Sequence, residues 1–260
     1  MFPGFKHLLE YRDLFLVFLW RNFSIRYRQT IFGILWAIFP PLSLMILFTV
    51  VFGKIMSVKV ADYPAPLFFY LGLLFWNFFA SSLNFTIPVL ANHYNLITKI
   101  YFPKEILPFS GIAMATIDMM IASVLLIAML VYFKCSLTIY ALWIFPLTLL
   151  LILFTIAISL FLSALNVFYR DVQLASSFLI QLWFFMTPVF YSIDKVSVNM
   201  KLVLFLNPLT FIIENSRRCL FEGRPVVVWQ YLLMFIFVLI ALRSSYSFFT
   251  KMEKRFADVI

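Results

Sequence analysis

Apolar residues occur along this chain in six long runs that are separated by short, more polar segments. The runs cover residues 31–52, 67–90, 106–133, 141–167, 174–191 and 226–249. An α-helix needs about 20 predominantly apolar residues to cross the hydrocarbon core of a bilayer, and all the runs but the shorter fifth reach that length. The pattern predicts an all-α membrane protein with six transmembrane helices, which form a single domain over residues 1–260.

The segment before the first run, residues 1–30, has a different pattern. Its apolar stretch 14–20 is too short to cross a bilayer. The apolar residues that fall on one helical face here are Leu16, Leu19, Phe23 and Tyr27. This pattern predicts an amphipathic helix at the membrane interface, with its arginines near lipid phosphates. A solvated helix packed on another subunit is the alternative.

The longest segment between runs, residues 192–225, is apolar in parts and is interrupted by Pro208. It predicts two short re-entrant helices between transmembrane helices 5 and 6, which dip into the outer leaflet; a surface helical hairpin fits equally well. Within it, Glu214 and Arg218 have the i, i+4 spacing of a helical ion pair.

The distribution of Lys and Arg predicts the orientation of the spans. Six spans leave both termini on one side, and more basic residues face the cytoplasm if the termini lie there. The cluster Arg12, Arg21, Arg26 and Arg28 precedes the first span, which usually dominates orientation. We therefore expect a multi-pass protein with both termini in the cytoplasm.

Composition excludes several classes of protein. Hydrophobic residues make up 64% of the chain and charged residues 12%, with a mean hydropathy of +1.02. Too few residues remain outside the runs for a separate soluble catalytic domain. The net charge of +9 indicates cytoplasmic flanks and contact with membrane lipids rather than nucleic acid.

Catalytic chemistry has little support. The six glycines are never clustered, and Gly53-Lys54 is followed by Ile55, so no phosphate-binding loop is present. Two histidines and two cysteines lack metal-ligand spacing. We therefore expect no ATP hydrolysis, no metal and no cofactor on this chain. Asp118 is the only carboxylate deep within a run. Its role is either that of a proton relay or, more simply, that of a structural hydrogen-bond partner. A single acid of this kind is weak support for an ion-coupled carrier.

Two loops on the expected cytoplasmic side have the composition of a docking element. Residues 92–105, between the second and third runs, mix apolar, aromatic and polar side chains and contain Pro103. Residues 166–172 form a compact charged turn between the fourth and fifth runs. Exposed apolar groups with a polar rim are typical of surfaces that bind a partner protein.

Taken in order along nearly the whole chain, these segments resemble the permease subunit of ABC transporters that export polysaccharides. The O-antigen export type is the most similar, and capsule and teichoic acid exporters share its motifs. The residues that carry the resemblance are Trp20-Arg21, Arg26–Thr30, Gly33, Leu96, Lys99, Tyr101–Pro108, Asn166, Tyr169–Asp171, Thr187–Val189, Tyr191 and Asn207-Pro208.

The resemblance implies a homodimer of this subunit above two copies of a separate ATPase subunit that binds ATP and Mg. It implies export of undecaprenyl-linked polysaccharide across the cytoplasmic membrane. It assigns coupling to the ATPase to Leu96, Lys99, Tyr101, Phe102, Pro103, Lys104, Tyr169, Arg170 and Asp171. Export of teichoic acid, capsule, drugs or small lipids is the alternative, and an ion-coupled carrier is a more distant one.

The resemblance also implies a continuous channel lined by the first and fifth spans of both copies. Sugar rings stack on aromatic side chains, so aromatic residues in these spans are candidates for the lining. The candidate lining residues, each set on one helical face, are Phe32, Trp36 and Phe39, and Trp183 and Phe190. Bundle packing, lipid contact or interfacial belts explain aromatics equally simply. Arg21, Arg26 and Arg28 would hold the lipid-linked pyrophosphate; topology signals and ordinary lipid contact are the alternative.

Overall fold

Helices and their turns are the only regular secondary structure among the described residues, 10–28, 30–56, 63–193 and 196–256, of this computed structural model. In chain order the α-helices are α1 (Arg12–Tyr27), α2 (Phe39–Phe48), α3 (Ala65–Thr86), α4 (Val89–Asn92), α5 (Tyr94–Lys99), α6 (Ile106–Tyr132), α7 (Ile144–Phe168), α8 (Asp171–Met186), α9 (Val198–Phe205), α10 (Pro208–Phe221) and α11 (Val228–Glu253). The predicted all-α class is confirmed. Residues 1–9 of the expected interfacial segment lie outside the described residues.

Four helical segments are long and apolar enough to cross a membrane. They are α3, α6, α11, and α7 together with the 3-10 turn that precedes it, Ile139–Phe168. These four match the second, third, fourth and sixth predicted spans. The first and fifth predicted spans contain shorter apolar helices, Phe39–Gly53 and α8, so the count of six stays a prediction.

The first predicted span is not one regular helix. A 3-10 turn, Gly33–Ala37, precedes α2, and a π-helical turn, Thr49–Ile55, follows it. Pro40 and Pro41 lie in the first turn of α2, where a missing N–H costs no helical hydrogen bond. Gly33 has a φ of +50°, a left-handed conformation that glycine adopts without strain. The prolines therefore start the α-helix instead of kinking it.

The fifth predicted span ends earlier than expected. Helix α8 stops at Met186, and Thr187 is extended, with a φ of −106° and a ψ of 133°. Pro188 explains this end, because its ring disfavours helical backbone at the preceding residue. Residues 187–191, included in the prediction, therefore lie beyond the helix.

Helix α3 is the centre of the bundle. Of its most apolar window 78% is buried, compared with 17% for α11. It packs on α2, α6 and α7, and Tyr70 donates a hydrogen bond of 2.7 Å to the carbonyl of Ala122 in α6. Helix α11 packs mainly on α7. Its exposed apolar residues lie on one face, as expected for contact with lipid: Trp229, Leu232, Leu233, Ile236, Phe237 and Ile240.

Helix α1 packs along α6 instead of standing apart from the bundle. Phe18 is buried and its ring lies 6.2 Å from that of Phe102, just before α6. Asn22 donates a hydrogen bond of 3.3 Å to Ser110. The buried Tyr27 donates another to Asp118. The C-terminal end of α1 therefore reaches roughly 18 Å along α6 from its first residue.

The segment 192–225 contains two short helices, α9 and α10. Asn207 caps α10, because its side-chain oxygen accepts a hydrogen bond of 3.1 Å from the Leu209 N–H, and Pro208 occupies the first turn. Helix α10 packs on α3 and α7. The number of helices agrees with the prediction, and their re-entrant position in a membrane stays a prediction.

Candidate transport and coupling sites

The two segments expected to contact an ATPase lie at the same end of the bundle. The Lys104 Nζ is 3.7 Å from the Glu253 carboxylate, which joins the start of α6 to the end of α11. The ring of Phe168, at the end of α7, lies 6.0 Å from that of Phe256, just beyond α11. The loop before α6 and the turn between α7 and α8 are therefore neighbours of the same C-terminal segment.

The segment from Leu96 to Lys104 divides into exposed and anchoring residues. Lys99 is exposed, and Tyr101 is 89% exposed. Phe102 is 3% exposed and packs against Phe18 of α1. Leu96, Pro103 and Lys104 are half-buried. The surface that a partner can touch here therefore centres on Lys99 and Tyr101, while Phe102 holds the loop on the bundle.

The second expected contact, Tyr169, Arg170 and Asp171, is an exposed turn. Tyr169 is extended, with a φ of −131° and a ψ of 103°, and ends α7. Asp171 begins α8, where a negative charge stabilises the N-terminus of a helix. All three side chains are accessible from the end of the bundle.

A clamp formed by Lys104, Glu105, Tyr246 and Glu253 fixes the loop before α6 to α11. The backbone N–H of Lys104 donates a hydrogen bond of 3.1 Å to Glu253. The Tyr246 hydroxyl donates one of 3.2 Å to Glu105, which is buried. Displacement of this loop would therefore move α6 and α11 together.

Asp118, for which the sequence left two roles open, is bound by two residues of α1. Its carboxylate accepts a hydrogen bond from Tyr27 and lies 2.6 Å from a guanidinium nitrogen of Arg26. The Asp118 side chain is 11% exposed and that of Arg26 is 42% exposed. Burial, and then the Asp118 carboxylate, raise the pKa of Tyr27, so its hydroxyl remains a donor. This favours the structural role of Asp118.

The three arginines expected to contact lipid phosphate differ in their surroundings. All three are exposed. Arg26 pairs with Asp118, and Arg21 lines a cavity of about 610 Å³ between α1 and the α3–α4 region. Arg28 caps the end of α1. Arg21 and Arg26 therefore share one recess and Arg28 lies outside it.

The expected channel aromatics of the first span form an exposed ladder. The ring centroid of Trp36 lies 5.7 Å from that of Phe32 and 5.5 Å from that of Phe39, both edge to face. The three side chains are 58%, 43% and 57% exposed in chain order. The chain itself therefore leaves this face of the first span uncovered.

The expected channel aromatics of the fifth span are packed against the protein. The ring of Trp183 lies 5.1 Å from that of Phe79 and 6.1 Å from that of Phe154. Phe190 lies beyond α8, with its ring 5.9 Å from that of Phe48. Both are half-buried, and their role in a channel stays a prediction.

Arg217 is a residue for which the sequence alone predicts no role. Its side chain is completely buried, and its guanidinium donates hydrogen bonds of 2.7, 2.9 and 3.1 Å to the carbonyls of Pro188, Val189 and Phe68. The Glu214 carboxylate lies 3.3 Å away. A single cation therefore joins α3, the segment after α8, and α10.

One sequence signal points to this site. A Cβ built on Gly72 would lie 2.8 Å from the Arg217 guanidinium and 3.1 Å from the Val189 carbonyl oxygen. Glycine in an otherwise large and apolar helix marks close approach by another group. Without the structure, however, nothing identifies Arg217 as that group.

The sequence shows similarity to known membrane transporters. The family model described as "ABC-2 type transporter" matches residues 13–221. An O-antigen export system permease protein RfbA from Klebsiella pneumoniae is 28% identical over 250 residues, which is 95% of each chain. A protein of the same name from Myxococcus xanthus is 27% identical over 258 residues, 98% of each chain. With a match that covers far more than half of its length and includes α1 to α10, this chain belongs to the ABC-2 type transporter family as a membrane component.

Proposed function

We propose that this chain is the permease subunit of an ATP-driven exporter of lipid-linked polysaccharide of the O-antigen type. The observation that carries the proposal is full-length similarity to relatives named O-antigen export permeases. The exposed ladder of Phe32, Trp36 and Phe39 supports it, because aromatic faces stack on sugar rings without demanding one sugar identity.

The partner that supplies energy is a separate ATPase subunit, present in two copies and carrying ATP and Mg. It docks on the end of the bundle formed by the loop before α6 and the turn between α7 and α8. Lys99, Tyr101 and Tyr169 are exposed there and supply the charged and aromatic side chains that such an interface needs. Both termini then lie in the cytoplasm, and the protein lies in the cytoplasmic membrane.

A second copy of the chain completes the channel. Helix α8 buries only Ser176 and Ile180, and exposes large apolar side chains such as Leu174, Phe178 and Phe185. The 3-10 turn Gly33–Ala37 and helix α2 in the first span also expose apolar side chains. A homodimer interface that encloses a transmembrane channel would cover α8 and this part of the first span. In this arrangement each copy has six spans, and α9 and α10 are re-entrant.

The substrate is an undecaprenyl-linked polymer whose pyrophosphate contacts Arg21, Arg26 and Arg28. Arginine matches phosphate oxygens with paired hydrogen bonds. Capsule or teichoic acid polymers have the same chemistry and are the second candidate class. An ion-coupled carrier is disfavoured, because Asp118, the carboxylate that it would use, is paired with Arg26.

Purification of the tagged chain from its own membrane in mild detergent tests the proposal. We expect an ATPase subunit in equal amount, and we expect lipid-linked polymer to stimulate its activity in proteoliposomes. Transport at full rate on a proton gradient, with no ATPase present, would contradict the proposal.

A further inference from the structure

Two adjoining cavities lie between α1, the first span, α3 and α6. The first, which we call the Trp36 cavity, has a volume of about 220 Å³. Apolar residues form part of its lining, and its aromatic and polar residues are Arg26, Trp36, Asn77, Phe78, Ser81, Asn84 and Asp118. The second, the His93 cavity, has a volume of about 610 Å³ and is lined among others by Arg21, Asn22, Arg26, Asn92 and His93. Arg26, Ser81 and Asn84 line both, so the two cavities are adjacent.

The lining of the Trp36 cavity suits one sugar ring. Its volume of about 220 Å³ has room for several water molecules or for a small ligand. Trp36 offers an aromatic surface for the C–H face of a ring. The amides of Asn77 and Asn84 both donate and accept hydrogen bonds, which matches hydroxyl groups that do the same.

Asn77 is the sharpest indication of a ligand. Its side-chain nitrogen is buried and has no hydrogen-bond partner among the described residues. Asn77 lines the cavity, and rotation of its carboxamide would turn this unpartnered nitrogen toward a ligand hydroxyl. Apolar residues such as Leu74, Phe78 and Met119 also line the cavity, so a phospholipid without a sugar is the competing occupant.

The His93 cavity suits a phosphate. Arg21 and Arg26 contribute guanidinium groups, and Asn22 and Asn92 contribute amides. Asp118 neutralises part of the charge of Arg26 in the Trp36 cavity, whereas Arg21 forms no ion pair with any described residue. The positive potential therefore lies on the His93 side of Arg26 and the uncharged hydrogen-bonding groups on the other.

We propose that the two cavities together form a binding site for a phosphosugar headgroup, with the sugar ring beside Trp36 and Asn77 and the phosphate beside Arg21. Arg26 lies between them and can donate to both. The proposal rests on the proposed function, and adds to it a place where the first sugar and its phosphate are recognised together. The phosphate in this site belongs either to the lipid-linked substrate or to a resident phospholipid. Only the lipid-linked substrate also carries a sugar ring.

Equilibrium binding to the purified full chain in detergent tests the site. The probes are a prenyl diphosphate that carries one hexose, the same prenyl diphosphate without sugar, and phosphatidylglycerol. We expect the hexose to increase affinity at least about fivefold, the effect of one hydrogen bond. Asn77→Ala and Asn84→Ala should each abolish that increment and leave binding of the sugarless probe unchanged, while the matched control Asn199→Ala, at an exposed position of α9, should keep it.

Two results would overturn the proposal. If the three probes bind wild type equally, or if the variants weaken all of them equally, the recess is a general anionic-lipid site without sugar recognition. If Asn77→Ala is unstable, maleimide labelling of Ser81→Cys in a chain that also carries Cys135→Ser and Cys219→Ser gives an independent measurement, because residue 81 lines both cavities. The hexose probe should slow this labelling more than the sugarless probe, and equal rates would also contradict the site.

The outcome is separable from that of the proposed function. Co-purification of the ATPase depends on the exposed side chains of the loop before α6 and of the turn between α7 and α8, and not on Asn77 or Asn84 of α3. If the ATPase co-purifies but the hexose does not increase affinity in the wild-type chain, this site alone is rejected. If no ATPase co-purifies, the proposed ATP-driven exporter is rejected. The binding measurements then decide separately whether the site recognises a phosphosugar.

Discussion

Arg26, in the last turn of α1, lies 2.6 Å from the carboxylate of Asp118, which is 92 residues later in the chain and near the middle of α6. If the pair is broken, water can solvate the Arg26 guanidinium, whose side chain is 42% exposed, but has little access to the Asp118 carboxylate, whose side chain is 11% exposed. The two single substitutions therefore have unequal effects.

We expect Arg26→Gln to destabilise the protein more than Asp118→Asn. The first leaves a carboxylate with little access to water, whereas the second leaves a guanidinium that water can reach. The difference should be about 1–2 kcal/mol, because a partly exposed pair is worth less than a buried one. Thermal unfolding in detergent measures it, and the double variant should resemble Asp118→Asn. Equal losses would indicate that the pair contributes little.

Gly72→Ala should destabilise the protein by about 1–3 kcal/mol, because its Cβ would lie 2.8 Å from the Arg217 guanidinium. The sign is diagnostic, since alanine in a helix is otherwise favoured over glycine by about 1 kcal/mol. Gly53→Ala is the matched control, because its Cβ meets nothing within 4 Å. A stabilising effect of Gly72→Ala would show that Arg217 does not occupy this position.

Lys99→Glu and Lys104→Glu should behave differently. Lys99 is exposed at the expected ATPase interface, so its reversal should lower polymer-stimulated ATPase activity several-fold without changing the stability of the chain. Lys104 faces Glu253, so its reversal should also cost about 1–2 kcal/mol of stability by placing two carboxylates together. ATPase assays in proteoliposomes and thermal unfolding separate the two effects. Arg224→Glu, at an exposed position distant from the loop in sequence, is the control.

The two cysteines should react with maleimide at very different rates. Both are free thiols. Burial raises the pKa of Cys219 to about 11 and also raises the pKa of Cys135, which is partly exposed. Since the thiolate is the nucleophile, about a thousandth of Cys219 is reactive at pH 8 even before access is considered.

We therefore expect Cys135 to be labelled first, and any labelling of Cys219 to accelerate about tenfold per pH unit below pH 11. Mass spectrometry of the single-cysteine variants Cys135→Ser and Cys219→Ser between pH 7 and pH 9 measures both rates. Equal rates in the folded protein would contradict the buried position of Cys219.

Much of the helical architecture follows from local sequence. The apolar runs 67–90, 106–133, 141–167 and 226–249 became helices within a few residues of the predicted ends, because burial in lipid or protein favours helix wherever the run is long enough. The early end of the helix in the fifth run is also a local effect, because Pro188 disfavours helical backbone at Thr187.

The partners of the buried charges could not be predicted in this way. The contact of Tyr27 with Asp118 joins positions 91 residues apart, and that of Phe68 with Arg217 joins positions 149 apart. Local periodicity carries no information on such pairs. Likewise Arg217 and Arg218 are adjacent and chemically identical in sequence, and only tertiary packing buries the first and leaves the second half-exposed.

The cation at position 217 also constrains the order in which the protein is built. Its carbonyl acceptors come from Phe68 and from Pro188 and Val189, all of which leave the ribosome before it does. A guanidinium without these acceptors would be expensive to bury. We therefore expect α10 to dock stably only once α3 and the segment after α8 are side by side, which would make closure of this face a late step of assembly.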